Sequence, residues 1–190
     1  MAEALFLDGP LAGQVRAVPD RSPGEPVWDT FVVEQGAGFL HDGDRIPVTR
    51  HTYTRKPNRL SRGPRWAYAL GAKVGEQVVC VLPYTPQAAD AMGADTLDVM
   101  IRREAHNALA RICADEGLVA AEVTEVFRGT RGEAREVWAR ENRDAPGAAQ
   151  VLAAADSIDP EGEAARLLDG VTFVVTEAVA MPADSKGVMW

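Results

Sequence analysis

Leu97, Met100, Ile101, Ala105, Ala108, Leu109 and Ile112 recur every three to four positions, which gives a helix one apolar stripe. Such a stripe needs a surface to cover. Residues 76–83 and 171–180 are valine-rich runs of the kind found in buried strands. Residues 118–127 read as an interrupted third strand, with Val119, Ala121, Val123 and Phe127 on one side. Asp95 or Thr96 would cap the long helix and Gly117 would stop it. Thr85-Pro86 opens a shorter helix, its hydroxyl over the free amides, and Gly93 closes it. Residues 132–143 read as a charged surface helix whose large apolar residues are Val137 and Trp138, and residues 145–156 are Ala-rich. Asp159-Pro160-Glu161 starts a last short helix that ends at Gly170. The order strand, helix, strand, helices, strand predicts a small three-stranded layer with helices on one face.

Residues 3–70 have a different character, rich in Gly, Pro and β-forming residues. Residues 4–7 and 14–18 form the two arms of a hairpin, ended by Asp8-Gly9-Pro10 and Pro19-Asp20. A loop follows at residues 20–26, then a strand at 28–34 and breaks at Gly36, Gly38 and Asp42-Gly43-Asp44. Residues 46–55 and 65–70 are the closing strands. Trp66, Tyr68 and Leu70 share one face of the second, while in the first His51 and Tyr53 oppose Val48, Arg50, Thr52 and Thr54. The fold class expected is α+β: a small antiparallel β module over residues 1–72, an α+β domain over 73–182, and a tail over 183–190.

At 190 residues, 46% apolar and 25% charged, the chain is long and hydrophobic enough for a packed core. Its net charge of −8 is uneven: residues 1–72 hold nine Lys/Arg and eight Asp/Glu, for +1, leaving eleven and twenty, for −9, over residues 73–190. The acidic second part argues against nucleic-acid binding by the whole protein. Cys80 and Cys113 have apolar neighbours, which favours reduced thiols over a disulfide. The opening MAEALFLDGPLAG lacks a basic stretch before its short apolar run, so no signal peptide is expected. The apolar run 78–82 is too short to cross a membrane, and no membrane partner is expected.

Chemistry-bearing motifs are not found. His41, His51 and His106 are scattered and unmatched by cysteine pairs. The phosphate-binding loop, the dinucleotide glycine triplet, the nucleophile elbow and the two-histidine zinc helix are all missing from the sequence. Glu133, Glu136 and Glu141 interleave with Arg131, Arg135 and Arg140 at spacings that suit surface ion pairs rather than acid–base catalysis. No enzymatic activity, metal or cofactor is expected.

The segment RHTYTRKPNRLSRGPR, residues 50–65, carries five arginines and one lysine without an acidic residue. Its loop is too long for a two-residue turn and is expected to project with a mobile tip. Candidate contact residues are Arg55, Lys56, Arg59, Arg62 and Arg65, together with Trp190 at the apolar end Val188-Met189-Trp190. Phosphate contacts by the cations, with Tyr53, Trp66 and Tyr68 stacking bases, would make a nucleic-acid surface. The same aromatics at alternate positions also suit the core of a small sheet, and the cations suit either a protein contact or a solvated face.

Asp8-Gly9-Pro10, Gly13, Val15 to Pro19, Tyr53-Thr54-Arg55, Trp66-Ala67-Tyr68 and Gly71 occur in that order. About seventy residues thus resemble a small β-rich module frequent among actinobacterial phages and prophages. Its marks are a Gly-Pro-x-x-Gly opening, a Tyr-x-Arg and an aromatic-x-Tyr pair. The resemblance implies a phage origin and carries no activity with it. The function expected is that of a virion structural protein, a minor capsid, decoration or head–tail component. Its partners would be other subunits of the assembly, as a homo- or hetero-oligomer, in the virion or the host cytoplasm. The alternative is a small intracellular nucleic-acid-binding or regulatory protein using the loop 55–65.

Overall fold

A computed structural model describes residues 1–19, 28–35, 48–140 and 170–183. The chain is α+β and divides into two compact units. One comprises Met1–Glu76, Glu116–Val119 and Val179–Trp190, and the other Gln77–Asp115 and Ala120–Ala178.

The first unit is built on β1 (Ala2–Phe6), a 3-10 turn (Gly9–Leu11), β2 (Val15–Val18), β3 (Thr30–Gln35), β4 (Thr49–Pro57) and β5 (Trp66–Ala69), in the sheet order β2-β1-β5-β4-β3. β1 and β2 form the expected hairpin, with Ala2 opposite Val18 and Leu5 opposite Val15. The sheet is not purely antiparallel as expected, because β1 runs parallel to β5 with Ala4 opposite Trp66 and Phe6 opposite Tyr68. Strand β4 pairs antiparallel with both β5 and β3, with Arg55 opposite Tyr68 and Tyr53 opposite Phe31.

Aromatic burial curls this sheet. The Phe6 ring on β1 lies 5.2 Å from that of Phe31 on β3. Three strand spacings separate β1 from β3, about 14 Å across a flat sheet. Phe6 also meets Tyr53 edge-on at 5.0 Å and stacks on Tyr68 at 5.4 Å, geometries that aromatic quadrupoles favour. Ala4, Leu11 and Val18 complete this core.

The same core accounts for the Asp8-Gly9-Pro10 landmark. The Asp8 carboxylate accepts the Leu70 amide at 2.7 Å and the Gly71 amide at 2.8 Å, tying the turn after β1 to the end of β5. Gly9 has φ +66°, and a Cβ there would lie 2.4 Å from a Leu70 methyl and 2.9 Å from the Tyr53 hydroxyl. Only glycine fits that conformation and that space together.

The second unit contains β6 (Gln77–Tyr84), α1 (Pro86–Met92), α2 (Ala94–Ala114), α3 (Arg131–Arg140) and most of β7 (Leu118–Thr130) and of β8 (Thr172–Pro182), and the strand order is β6-β8-β7. Strand β8 is central and mostly buried, as its β-branched composition demands. On one face Cys80, Ala178 and Val174 pack with Leu109, Leu97 and Ile101 of α2. On the other, Val79, Val81, Val175, Val126 and Phe127 pack around Ala134 of α3. Helices therefore cover both faces, not one. The small Ala134 side chain gives α3 its close approach where a purely surface helix was expected.

Local details also depart from expectation. Helix α2 begins at Ala94 after Gly93, so Asp95 and Thr96 lie inside its first turn, and the Thr85 hydroxyl makes no capping bond to α1. The buried stripe of α2 is Leu97, Ile101, Ala105, Leu109 and Cys113, while Ile112 is exposed. In β7, Glu122 adopts a left-handed φ of +49°. The face assignment breaks there: Val119 is exposed, and Ala120 joins Val123 in one cluster. The strand runs past Phe127 into a capping box at the start of α3. The Thr130 amide donates to the Glu133 carboxylate at 2.6 Å and the Glu133 amide donates to the Thr130 hydroxyl at 3.3 Å. The expected loop at 20–26, the breaks at Gly36, Gly38 and 42–44, the Ala-rich segment 145–156, the expected short helix from Asp159 up to its stop at Gly170, and the tail from 184 onward lie outside the described residues.

Candidate functional site

The basic residues of segment 50–65 lie on the β4–β5 hairpin. Pro57 pairs with Trp66, and the Asn58 amide donates to the Arg65 carbonyl at 2.9 Å, so the strands end there and residues 58–65 form the loop. That loop is braced from within, not a free tip. The Asn58 side chain donates to the Arg62 carbonyl at 2.9 Å and the Pro64 carbonyl at 2.8 Å, and accepts the Leu60 amide at 3.1 Å. Leu60 is turned inward and buried. An Asn in such a turn substitutes its side chain for backbone partners, and the Pro57-Asn58 dipeptide was the signal for it in the sequence.

The five candidate cations separate into two groups. Lys56 lies in β4, not in the loop, and its side chain is only 11% exposed. Its ammonium donates to Glu76 at 2.9 Å and to the Ala72 carbonyl. Arg55 is also in β4, paired with Asp29 at 2.7 Å, with its guanidinium 4.7 Å from the Trp66 ring centre. Both are committed inside the unit. Arg59, Arg62 and Arg65 are exposed, and the Arg65 guanidinium lies 5.2 Å from the same Trp66 ring. Arg50 is exposed on β4, and Trp190 lies outside the described residues.

Of the three aromatics expected either to stack on bases or to line the sheet core, Tyr53 and Tyr68 line the core. Tyr53 is 0% and Tyr68 1% exposed, and burial pushes both phenols above their ordinary pKa. The Tyr68 hydroxyl donates to the Trp28 carbonyl. Trp66 alone of the three is partly exposed, and two guanidiniums attend its ring. Cation–π contacts of this kind hold a guanidinium against the ring face while its N–H groups still hydrogen-bond outward, as Arg55 does to Asp29.

The hairpin thus offers three exposed arginines on a braced loop, a surface able to bind carboxylates or phosphates by bidentate hydrogen bonds. Among the described residues no group of three or more His, Cys, Asp or Glu side chains could hold a metal ion. Among the same residues no helix is long and apolar enough to cross a membrane. No protein-family model, curated protein or solved structure matches the chain.

Proposed function

We propose that this protein is a structural component of a phage particle, a minor capsid, decoration or head–tail protein, acting through contacts with other subunits of the assembly. The observation that carries this reading is the braced loop with Arg59, Arg62 and Arg65 exposed along it. A loop already held by Asn58 and Leu60 loses little entropy on binding, so its arginines suit a carboxylate-bearing protein surface. The resemblance of the first seventy residues to a phage and prophage module supports the setting. Burial of Tyr53 and Tyr68 favours a protein partner over single-stranded nucleic acid, which draws its affinity from stacked bases.

Mass spectrometry of purified particles from a lysate expressing the gene tests the reading. The protein should co-purify with the particles at a fixed copy number. Replacement of Arg59, Arg62 and Arg65 by glutamate should release it from them while leaving it folded. If the protein is missing from the particles the reading fails, and a salt-sensitive gel shift with DNA or RNA by the unsubstituted chain would replace it with the nucleic-acid alternative.

A further inference from the structure

In the second unit, α2 and β8 are matched rung by rung. Four residues of helix advance about 6.0 Å and two residues of strand about 6.6 Å, so Ile101, Ala105 and Leu109 fall opposite Val174, Thr176 and Ala178. The outer rungs close: Ile101 packs with Val174, and Leu109 with Ala178. The middle rung holds two short side chains, Ala105 and Thr176. A recess of about 330 Å³ opens there, floored by Ile101, Ala105, Val123 and Val174 and rimmed by Arg102, His106 and Glu125.

Two observations show what the recess would accept. Thr176 is the one buried polar residue among those described, 5% exposed, and it lines the recess. Its place in the lining makes its hydroxyl, both donor and acceptor, the polar group that a bound oxygen would meet. The rim is also unbalanced in what it has left to give. Both oxygens of Glu125 accept from Arg128, at 2.8 and 2.7 Å. The two oxygens of Asp98 accept from Arg128 and from Arg102 Nε, at 2.7 and 2.8 Å. Arg102 reaches Asp98 through Nε, and its side chain is 69% exposed at the mouth. The His106 ring donates from Nδ1 to the Arg102 carbonyl at 2.8 Å, which leaves Nε2 outward. The carboxylates at the mouth are thus each paired with arginine, and Arg102 adds an exposed guanidinium beside the recess.

We propose that this recess binds a small organic acid: a carboxylate held at the mouth by Arg102, an apolar body of about five carbons on Ile101, Ala105, Val123 and Val174, and a hydroxyl or carbonyl oxygen at the inner end meeting Thr176. Its volume lies at the small end of the range for ligand sites, about 300–1,000 Å³. The shortness of Ala105 and Thr176 is what makes the space. This inference does not depend on the role of the basic hairpin.

Titration of the full chain with 6-hydroxyhexanoate, hexanoate and 6-hydroxyhexanamide, followed by backbone amide NMR, tests it. The hydroxy acid should give saturable shifts confined to residues 101–106, 123–125 and 174–176, with a Kd near 1 mM or tighter. Hexanoate should bind at least threefold more weakly and the amide at least tenfold more weakly. Arg102→Gln should lower affinity for both acids about tenfold, and Thr176→Val should remove the preference for the hydroxy acid while leaving hexanoate unchanged. Ala105→Leu should abolish binding by filling the space, and its NMR spectrum reports directly whether the fold survives. No saturable shift up to about 10 mM, equal binding of acid and amide, or unaltered affinity in Arg102→Gln would overturn the proposal.

Discussion

The Tyr53 hydroxyl accepts a hydrogen bond from the amide of Leu11, 42 residues away, at 3.1 Å, and the same hydroxyl donates to the Asp8 carbonyl at 3.3 Å. One phenol thereby fastens the turn after β1 to the centre of β4. The landmarks Asp8-Gly9-Pro10, Tyr53-Thr54-Arg55 and Trp66-Ala67-Tyr68, dispersed in sequence, converge on this point. Their spacing follows from the core, so the pattern identifies a way of folding and not a chemistry.

Tyr53→Phe should therefore cost more than the loss of an average hydrogen bond. The ring keeps its place against Phe6, but the Leu11 amide is left buried without an acceptor. Stranding a buried donor costs about 1–3 kcal/mol. Urea unfolding should show the midpoint falling with the m-value unchanged. A midpoint within error of the unsubstituted protein would mean that water or a shifted turn satisfies Leu11.

Glu133 supplies a pH-dependent element at the start of α3. Donation from the Thr130 amide, and then from its hydroxyl, holds the Glu133 carboxyl below its usual range. A carboxyl lowered by folding stabilises the fold above its unfolded pKa, about 4.3, and that contribution is lost as pH falls through the lower folded value. The Thr130 amide resonance should accordingly move as pH is lowered below about 4, and Glu133→Gln should abolish the step. An identical pH profile in the Gln variant would assign the step to another group.

Some of this architecture was legible in the sequence and some was not, for reasons that differ by residue. Periodic burial leaves a local trace, so the α2 stripe, the β8 run and the inward Tyr53 and Tyr68 were readable. The misplacement of Ile112 is a drift error: spacing by four from Leu97 leads to Cys113, whose small apolar side chain is less conspicuous than isoleucine. The parallel pairing of β1 with β5 joins segments some sixty residues apart and leaves no periodic mark. Thr130-x-x-Glu133 is a readable capping box, masked because the preceding strand was ended at Phe127. In the basic segment composition was visible but commitment was not. Nothing local says that Lys56 finds Glu76 or that Arg55 finds Asp29, because both acidic partners come from other parts of the unit.

The two thiols provide a probe of the second unit. Cys80 and Cys113 are free, 7% and 1% exposed, and burial pushes both above the ordinary thiol pKa. Reactivity follows the thiolate fraction and access together. At pH 8 the native protein should react with a thiol-specific disulfide reagent on the order of a hundredfold more slowly than in denaturant, where two thiols per chain should titrate. Rapid reaction of either cysteine in the native state would contradict its placement in the core.

Lys56 and Arg62 separate the structural cations of the hairpin from those available for contact. The Lys56 side chain is mostly enclosed and holds both Glu76 and the Ala72 carbonyl, so Lys56→Ala removes two hydrogen bonds and a packed stem, while the half-exposed Glu76 carboxylate rehydrates. With the Glu76 side of the pair screened by solvent, a loss of about 0.5–1.5 kcal/mol should appear as a lower urea midpoint. Arg62 is exposed, and its backbone carbonyl, which serves the Asn58 brace, survives truncation of its side chain. Arg62→Ala should change stability by less than about 0.5 kcal/mol, and under the proposed virion role it should also weaken association with particles. A large loss of stability on Arg62→Ala, or none on Lys56→Ala, would reverse the division between the two groups.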